Sequence, residues 1–159
     1  MTTKLLIVFL CALAGVMAGL ALRKRVALRE RYFEELVRII ERLISDIKFS
    51  QLKIEGILSD YTSSSGQITK NLAEYREFLL GGELKLSRGM LTKREHRLVF
   101  EFFERLGALD LDTQINELEN RKSAFVGILE GARDKNKRYG KAFVKLGFFS
   151  GLLVGVLLL

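Results

Sequence analysis

Apolar residues are continuous at the two ends of the chain and periodic between them. Leu5 to Leu22 is an unbroken run of 18 uncharged, mostly apolar residues. As a helix it spans ~27 Å, close to the ~30 Å hydrocarbon core of a bilayer. Leu146 to Leu159 adds a second run of 14 residues. Ala142-Phe143-Val144 extends that run past Lys145, whose long stem can snorkel to the headgroups. The pattern predicts transmembrane segments over 1–22 and 142–159, with a helical domain over 23–141 between them. Arg23-Lys24-Arg25 lies directly behind the first run, which favours an uncleaved anchor over a signal peptide, whose charge precedes its apolar stretch.

The middle has helical periodicity. Leu28, Tyr32, Leu36, Ile39, Leu43 and Ile47 recur at three- and four-residue spacing, widened by Phe33, Val37, Ile40 and Ile44. Nothing breaks the chain between the first apolar run and this stripe, so one helix of ~45 residues is expected. A short helix is expected over Leu52–Leu58 and a loop over Asp60–Gly66. Another helix begins at Gln67, with Ile68, Leu72, Tyr75 and Phe78-Leu79 on one face, and Gly81-Gly82 ends it. Residues 83–91 fit a loop or a short turn. Thr92 and Glu95 have the spacing of a capping box. The helix behind them carries Leu98, Val99, Phe102, Phe103 and Leu106, with Gly107 placed to terminate it. Asp110 or Asp112 can cap the last helix. That helix shows Ile115, Leu118, Lys122, Phe125, Leu129, Ala132, Asn136 and Tyr139 as a heptad-like seam, suited to packing on the 26–49 helix. The expected fold is therefore all-α. It is a membrane-anchored helical bundle of two long helices, continuous with the N- and C-terminal transmembrane segments, plus three to four shorter ones.

Both apolar runs carry small residues four apart. Gly15 and Gly19 form one such stripe, beside Ala14 and Ala18; Gly147, Gly151 and Gly155 form another. Stripes of this kind let helix backbones approach closely in lipid. The sequence leaves open whether they pair the two ends or join separate copies.

Charge adds orientation. The net charge is +7 over 159 residues. Lys4 is the sole charged side chain before Arg23 and none follows Lys145, which leaves 25 basic and 19 acidic residues between, net +6. Arg23, Lys24, Arg25, Arg29 and Arg31 follow the first run. Lys135, Lys137, Arg138, Lys141 and Lys145 border the second. Both clusters belong on the cytoplasmic side, with the two termini outside. A basic middle also suits nucleic acid or anionic lipid, so a membrane-tethered binder of one of these is the second reading. The positive-inside bias already accounts for the clusters, and nucleic acid is not expected as a partner.

The chain has no Pro, which favours long helices. Parts for catalysis are missing. There is no phosphate-binding Gly-rich loop, no dinucleotide fingerprint and no nucleophile elbow. His96 is the one histidine and Cys11 the one cysteine, too few for a zinc site or a Ser-His-Asp triad. Glu34-Glu35, Asp110 with Asp112, and Glu117 with Glu119 read as caps and solvated faces. No enzymatic activity, cofactor or metal is expected.

Two stretches carry a resemblance. One is Leu106-Gly107-x-x-Asp110-x-x-x-Gln114, followed by a long charged helix. The other is Tyr139-x-Lys141-x-x-x-x-Leu146-Gly147-Phe148-x-x-Gly151, running into the apolar tail. Together with the layout of the whole chain they resemble the stage III sporulation protein AB family of endospore-forming bacteria. The family often has Ser where this chain has Leu109, and a Pro after the first long helix that is absent here. The resemblance implies one component of an eight-protein complex linking mother cell and forespore. It also implies similarity to the inner-membrane platform protein of type II secretion and type IV pilus systems. The expected partners are a secretion-type ATPase like stage III sporulation protein AA, other membrane components of the same complex and further copies of the chain in a homo-oligomer. The expected location is the mother-cell membrane around the forespore. Leu106, Gly107, Asp110 and Gln114 are expected to shape a helix–helix corner. Asp60–Gly66 and Gly81–Arg88 are candidate contacts for the ATPase.

Overall fold

The computed structural model describes residues 2–50 and 66–157, with their side chains except at 2–5, 49, 50 and 141. The short helix expected over Leu52–Leu58, and the Asp60–Gly66 loop apart from Gly66, fall outside the described residues. Four helices occur among those described: α1 over Thr2–Ser50, α2 over Gly66–Leu79, α3 over Lys93–Arg105 and α4 over Leu111–Leu157. None of the described residues is in a strand. The backbone divides into two units. One is Met1–Glu30 with Glu130–Leu159, and the other is Arg31–Leu129.

The Arg31–Leu129 unit is a helical bundle around one core. The stripe on α1 supplies Tyr32, Phe33, Leu36, Ile39, Ile40, Leu43 and Ile47, all buried. Ile68, Leu72 and Tyr75 of α2, Val99, Phe102 and Phe103 of α3, and Leu118, Phe125 and Leu129 of α4 complete it. Aromatic rings bind the layers together. Phe33 lies 6.1 Å from Phe125, Phe125 lies 5.8 Å from Phe102 edge-to-face, and Phe103 lies 5.2 Å from Tyr75. Such ring pairs add to the area they bury.

Local chemistry sets the helix ends. Thr92 Oγ1 accepts from the Glu95 amide while a Glu95 carboxylate oxygen accepts from the Thr92 amide, at 3.3 and 2.9 Å. The capping box satisfies two backbone donors that the first turn of α3 cannot pair. At the other end of α2, Gly81 takes φ 98°, a conformation that costs glycine little. Residues 82–88 are irregular but tied down. Ser87 donates its amide, at 2.7 Å, and its hydroxyl to the Glu74 carboxylate, and Gln67 donates to the Ser87 carbonyl. His96 is half-buried, with Nε2 2.8 Å from the Leu86 carbonyl. The irregular segment folds over it, and no sequence period marks that contact.

One polar pair crosses the core. Asn71 Nδ2 donates to the Tyr32 hydroxyl at 3.0 Å, both residues being buried. Burial pushes the Tyr32 phenol well above its usual range; the Asn71 hydrogen bond opposes this and the Glu74 charge reinforces it. Asn71→Leu strands the hydroxyl and is expected to destabilise the full-length protein by about 1–3 kcal/mol. Adding Tyr32→Phe should recover part of that loss, because both polar partners are then gone. Urea unfolding in detergent reads both values. Equal stability of Asn71→Leu and the parent would deny the bond any structural weight.

Candidate functional site: the terminal helix pair and the α3–α4 corner

The other unit pairs the two ends of the chain. α1 is long and apolar enough to cross a membrane, as judged by length and composition. α4 bends by 40° between Gly140 and Ala142, and it meets the same test only when the arms either side of the bend count together. The two glycine stripes face each other. A Cβ added to Gly15 would strike the Gly147 carbonyl, and one added to Gly147 would strike the Gly15 carbonyl. A Cβ on Gly19 would meet Val144 Cα at 2.9 Å; on Gly151, Ala12 Cα at 3.1 Å; on Gly155, Val8 Cα at 2.9 Å. The pairing therefore runs antiparallel over four successive turns, backbone against backbone. Within the single chain, the stripes bring its own two ends together.

In lipid no hydrophobic effect drives helices together, so close van der Waals packing of small residues carries the association. Cys11, half-buried, lies against Gly151 and Gly155. Large apolar side chains point away from the seam. Leu6, Phe9, Leu10, Met17 and Leu20 of α1 are exposed, as are Leu146, Phe148, Phe149 and Leu153 of α4. A belt of exposed apolar residues around a small-residue seam is the arrangement expected in hydrocarbon.

The motif residues of α4 thus divide by face. Gly147 and Gly151 contact α1. Leu146 and Phe148 are exposed; Tyr139, also exposed, has its ring 6.2 Å from Phe143. The side chain of Lys141 lies outside the described residues. Just beyond the seam, Glu30 accepts from Asn136 Nδ2 at 2.7 Å and lies 3.8 Å from Arg133 Nε. Glu30 stood out in no sequence pattern. Its partner Asn136 was visible only as a polar interruption of an apolar seam.

The second motif forms the turn between α3 and α4. The Leu106 amide donates to the Phe103 carbonyl, and Gly107 follows with φ 84°. Gln114, buried, reaches back to accept from the Gly107 amide at 3.0 Å. The Leu106 carbonyl accepts from the Tyr75 hydroxyl at 2.8 Å, which ties α2 to the same turn. Asp110 is the cap of α4: its carboxylate accepts from the Thr113 amide at 3.1 Å. That backbone bond holds the Asp110 carboxyl below its usual range. Leu106, Gly107, Asp110 and Gln114 therefore meet in one corner. Tyr75 is the member that sequence reading placed only in the core.

The paired carboxylates have separate partners. Glu34 pairs with Arg38, Glu117 with Arg121, and Glu119 with Lys122 and Lys48. Among the described residues no group of three or more His, Cys, Asp or Glu is placed to hold a metal ion. Around the α2–α3 connection, Leu80 is 89% exposed beside Gly81, and Lys85 and Glu83 pair on the surface.

No curated protein and no solved structure matches this chain. One family does, the match running over residues 4–159 and so including both glycine stripes and both motifs. The chain belongs to the stage III sporulation protein AB family.

Proposed function

We propose that this protein is a non-catalytic membrane platform of a sporulation-specific, secretion-like complex between mother cell and forespore, and that it docks a cytosolic secretion-type ATPase. The observation that carries the reading is the backbone-to-backbone pairing of the two terminal helices through Gly15, Gly19, Gly147, Gly151 and Gly155. A chain whose ends form one compact apolar pair is suited to holding a bundle at a membrane surface. Basic residues border both apolar runs, which favours a cytoplasmic bundle with both termini outside. α1 and α4 each contribute to the apolar pair and also to the bundle core. Force or position exerted on the bundle would therefore reach the membrane along two helices. The exposed Leu80 beside the Gly81–Arg88 segment is the proposed ATPase contact.

Co-purification tests the docking. The stage III sporulation protein AA-like ATPase should be retained by the full-length protein from sporulating cells, and Leu80→Glu should reduce its recovery while leaving the bundle folded. Absence of the ATPase, together with normal spores after deletion of the gene, would refute the platform reading. A reporter fused after Leu159 should report from outside the cytoplasm; a cytoplasmic signal would refute two spans.

A further inference from the structure

We propose that the polar cleft just beyond the glycine seam is a headgroup site for an anionic phospholipid of the cytoplasmic leaflet. The inference rests on the membrane reading above. The cleft holds about 480 Å³ and is lined by Arg23, Glu30, Arg133, Asn136, Lys137 and Gly140. All six belong to the unit formed by the two chain ends.

Three features select the ligand. The lining carries three cations and one anion, and the anion is engaged: Glu30 accepts from Asn136 at 2.7 Å and faces Arg133 at 3.8 Å. Arg23 and Lys137, one from each helix, make no ion pair among the described residues. Gly140 leaves room for the Asn136 amide that engages Glu30, because a Cβ there would meet Asn136 Oδ1 at 2.9 Å. A phosphodiester carries a single negative charge with two unesterified oxygens, which suits a guanidinium on one wall and an ammonium on the other.

The setting decides between a lipid and a free anion. Arg23 directly follows the 18-residue apolar run, so the cleft opens where headgroups lie. Exposed Leu22 and half-buried Phe143 border the next cleft along the pair, which is lined almost wholly by apolar atoms. Acyl chains can lie along that groove while the phosphate occupies the polar end. Basic pockets between helices on the cytoplasmic side are the kind that hold anionic headgroups. Positive-inside bias explains the presence of cations but not a cleft that brings two helices' cations together around an engaged carboxylate.

Native mass spectrometry of the full-length protein tests the site, with phosphatidylglycerol, phosphatidylcholine and inorganic phosphate as probes. Phosphatidylglycerol should bind more tightly than phosphatidylcholine. Arg23→Gln with Lys137→Gln should weaken phosphatidylglycerol by on the order of tenfold, given the contribution of each surface cation. Arg23→Lys with Lys137→Arg should retain the preference, and so should Arg94→Gln with Arg97→Gln in the bundle. Equal binding of the two lipids would overturn the proposal. So would an equal loss in the bundle variant, which would mark non-specific charge, or full displacement by inorganic phosphate, which would mark a free-anion site. Carbonate washing of vesicles carrying the same proteins keeps the two readings apart. Release of the wild type would refute the membrane reading; retention without lipid preference would refute this site alone.

Discussion

Replacing Gly147 with isoleucine is expected to part the two terminal helices. The first atom of any side chain at 147 falls on the Gly15 carbonyl and lies 3.3 Å from Gly19 Cα. Neither is the movable end of a side chain, so the backbones must separate. Once they separate, the contacts of Gly151 and Gly155 with Ala12 and Val8 are lost as well. Overpacking of this kind costs about 1–3 kcal/mol in ordinary cores. The upper end is expected here, because van der Waals packing is the main source of helix association in lipid. Spin labels at Leu10 and Val154, both exposed, would show the parent's short separation lost in the variant. The same helix supplies the contrast. A Cβ at Gly127 meets nothing within 4 Å, so Gly127→Ala should stabilise the bundle by about 0.4–1 kcal/mol. Identical behaviour of the two substitutions would mean that the stripe is composition and not packing.

Phe103→Ala should be the most damaging single change in the bundle. Phe103 is fully buried and joins two ring pairs, with Tyr75 at 5.2 Å and Phe102 at 5.0 Å. It also stands one turn before the α3–α4 corner, where Tyr75 donates to the Leu106 carbonyl. Truncation leaves a cavity under that corner and frees Tyr75 to shift. A loss of about 3–5 kcal/mol is expected, read as a lower urea midpoint for the full-length protein in detergent. Phe103→Leu fills most of the volume and should cost clearly less. A loss below ~1 kcal/mol would mean that the site collapses without penalty, contrary to a close-packed core.

The long helices were legible because their period is regular and uninterrupted. The α1 stripe from Tyr32 to Ile47 is buried at every apolar position named from its spacing. The Thr92 capping box and the Gly107 stop were legible for a different reason: each needs particular residues at a fixed offset. Contacts between segments were not. Gln114 reaching Gly107, Tyr75 reaching Leu106 and Asn136 reaching Glu30 join residues whose spacing obeys no local rule. The heptad-like reading of α4 also ran one residue too far. Leu118, Phe125, Leu129 and Ala132 are buried, but Tyr139 is exposed, next to the bend that follows Gly140. The glycine stripes were visible in the sequence, while their partners were not, since Gly faces Gly equally well within a chain and between copies.

The two ends of one chain pair along the glycine stripes, and a disulfide tests that pairing directly. A Cβ at residue 155 lies 3.2 Å from Cys11 Cβ, a few tenths of an ångström short of the ~3.5–4.5 Å that a disulfide spans. Gly155→Cys, in a chain whose other cysteine is Cys11, should oxidise in membranes to a monomer of altered gel mobility, restored by reductant and lost in Cys11→Ser. Disulfide-linked dimers in place of that monomer would contradict the account, because the stripes would then be joining separate copies.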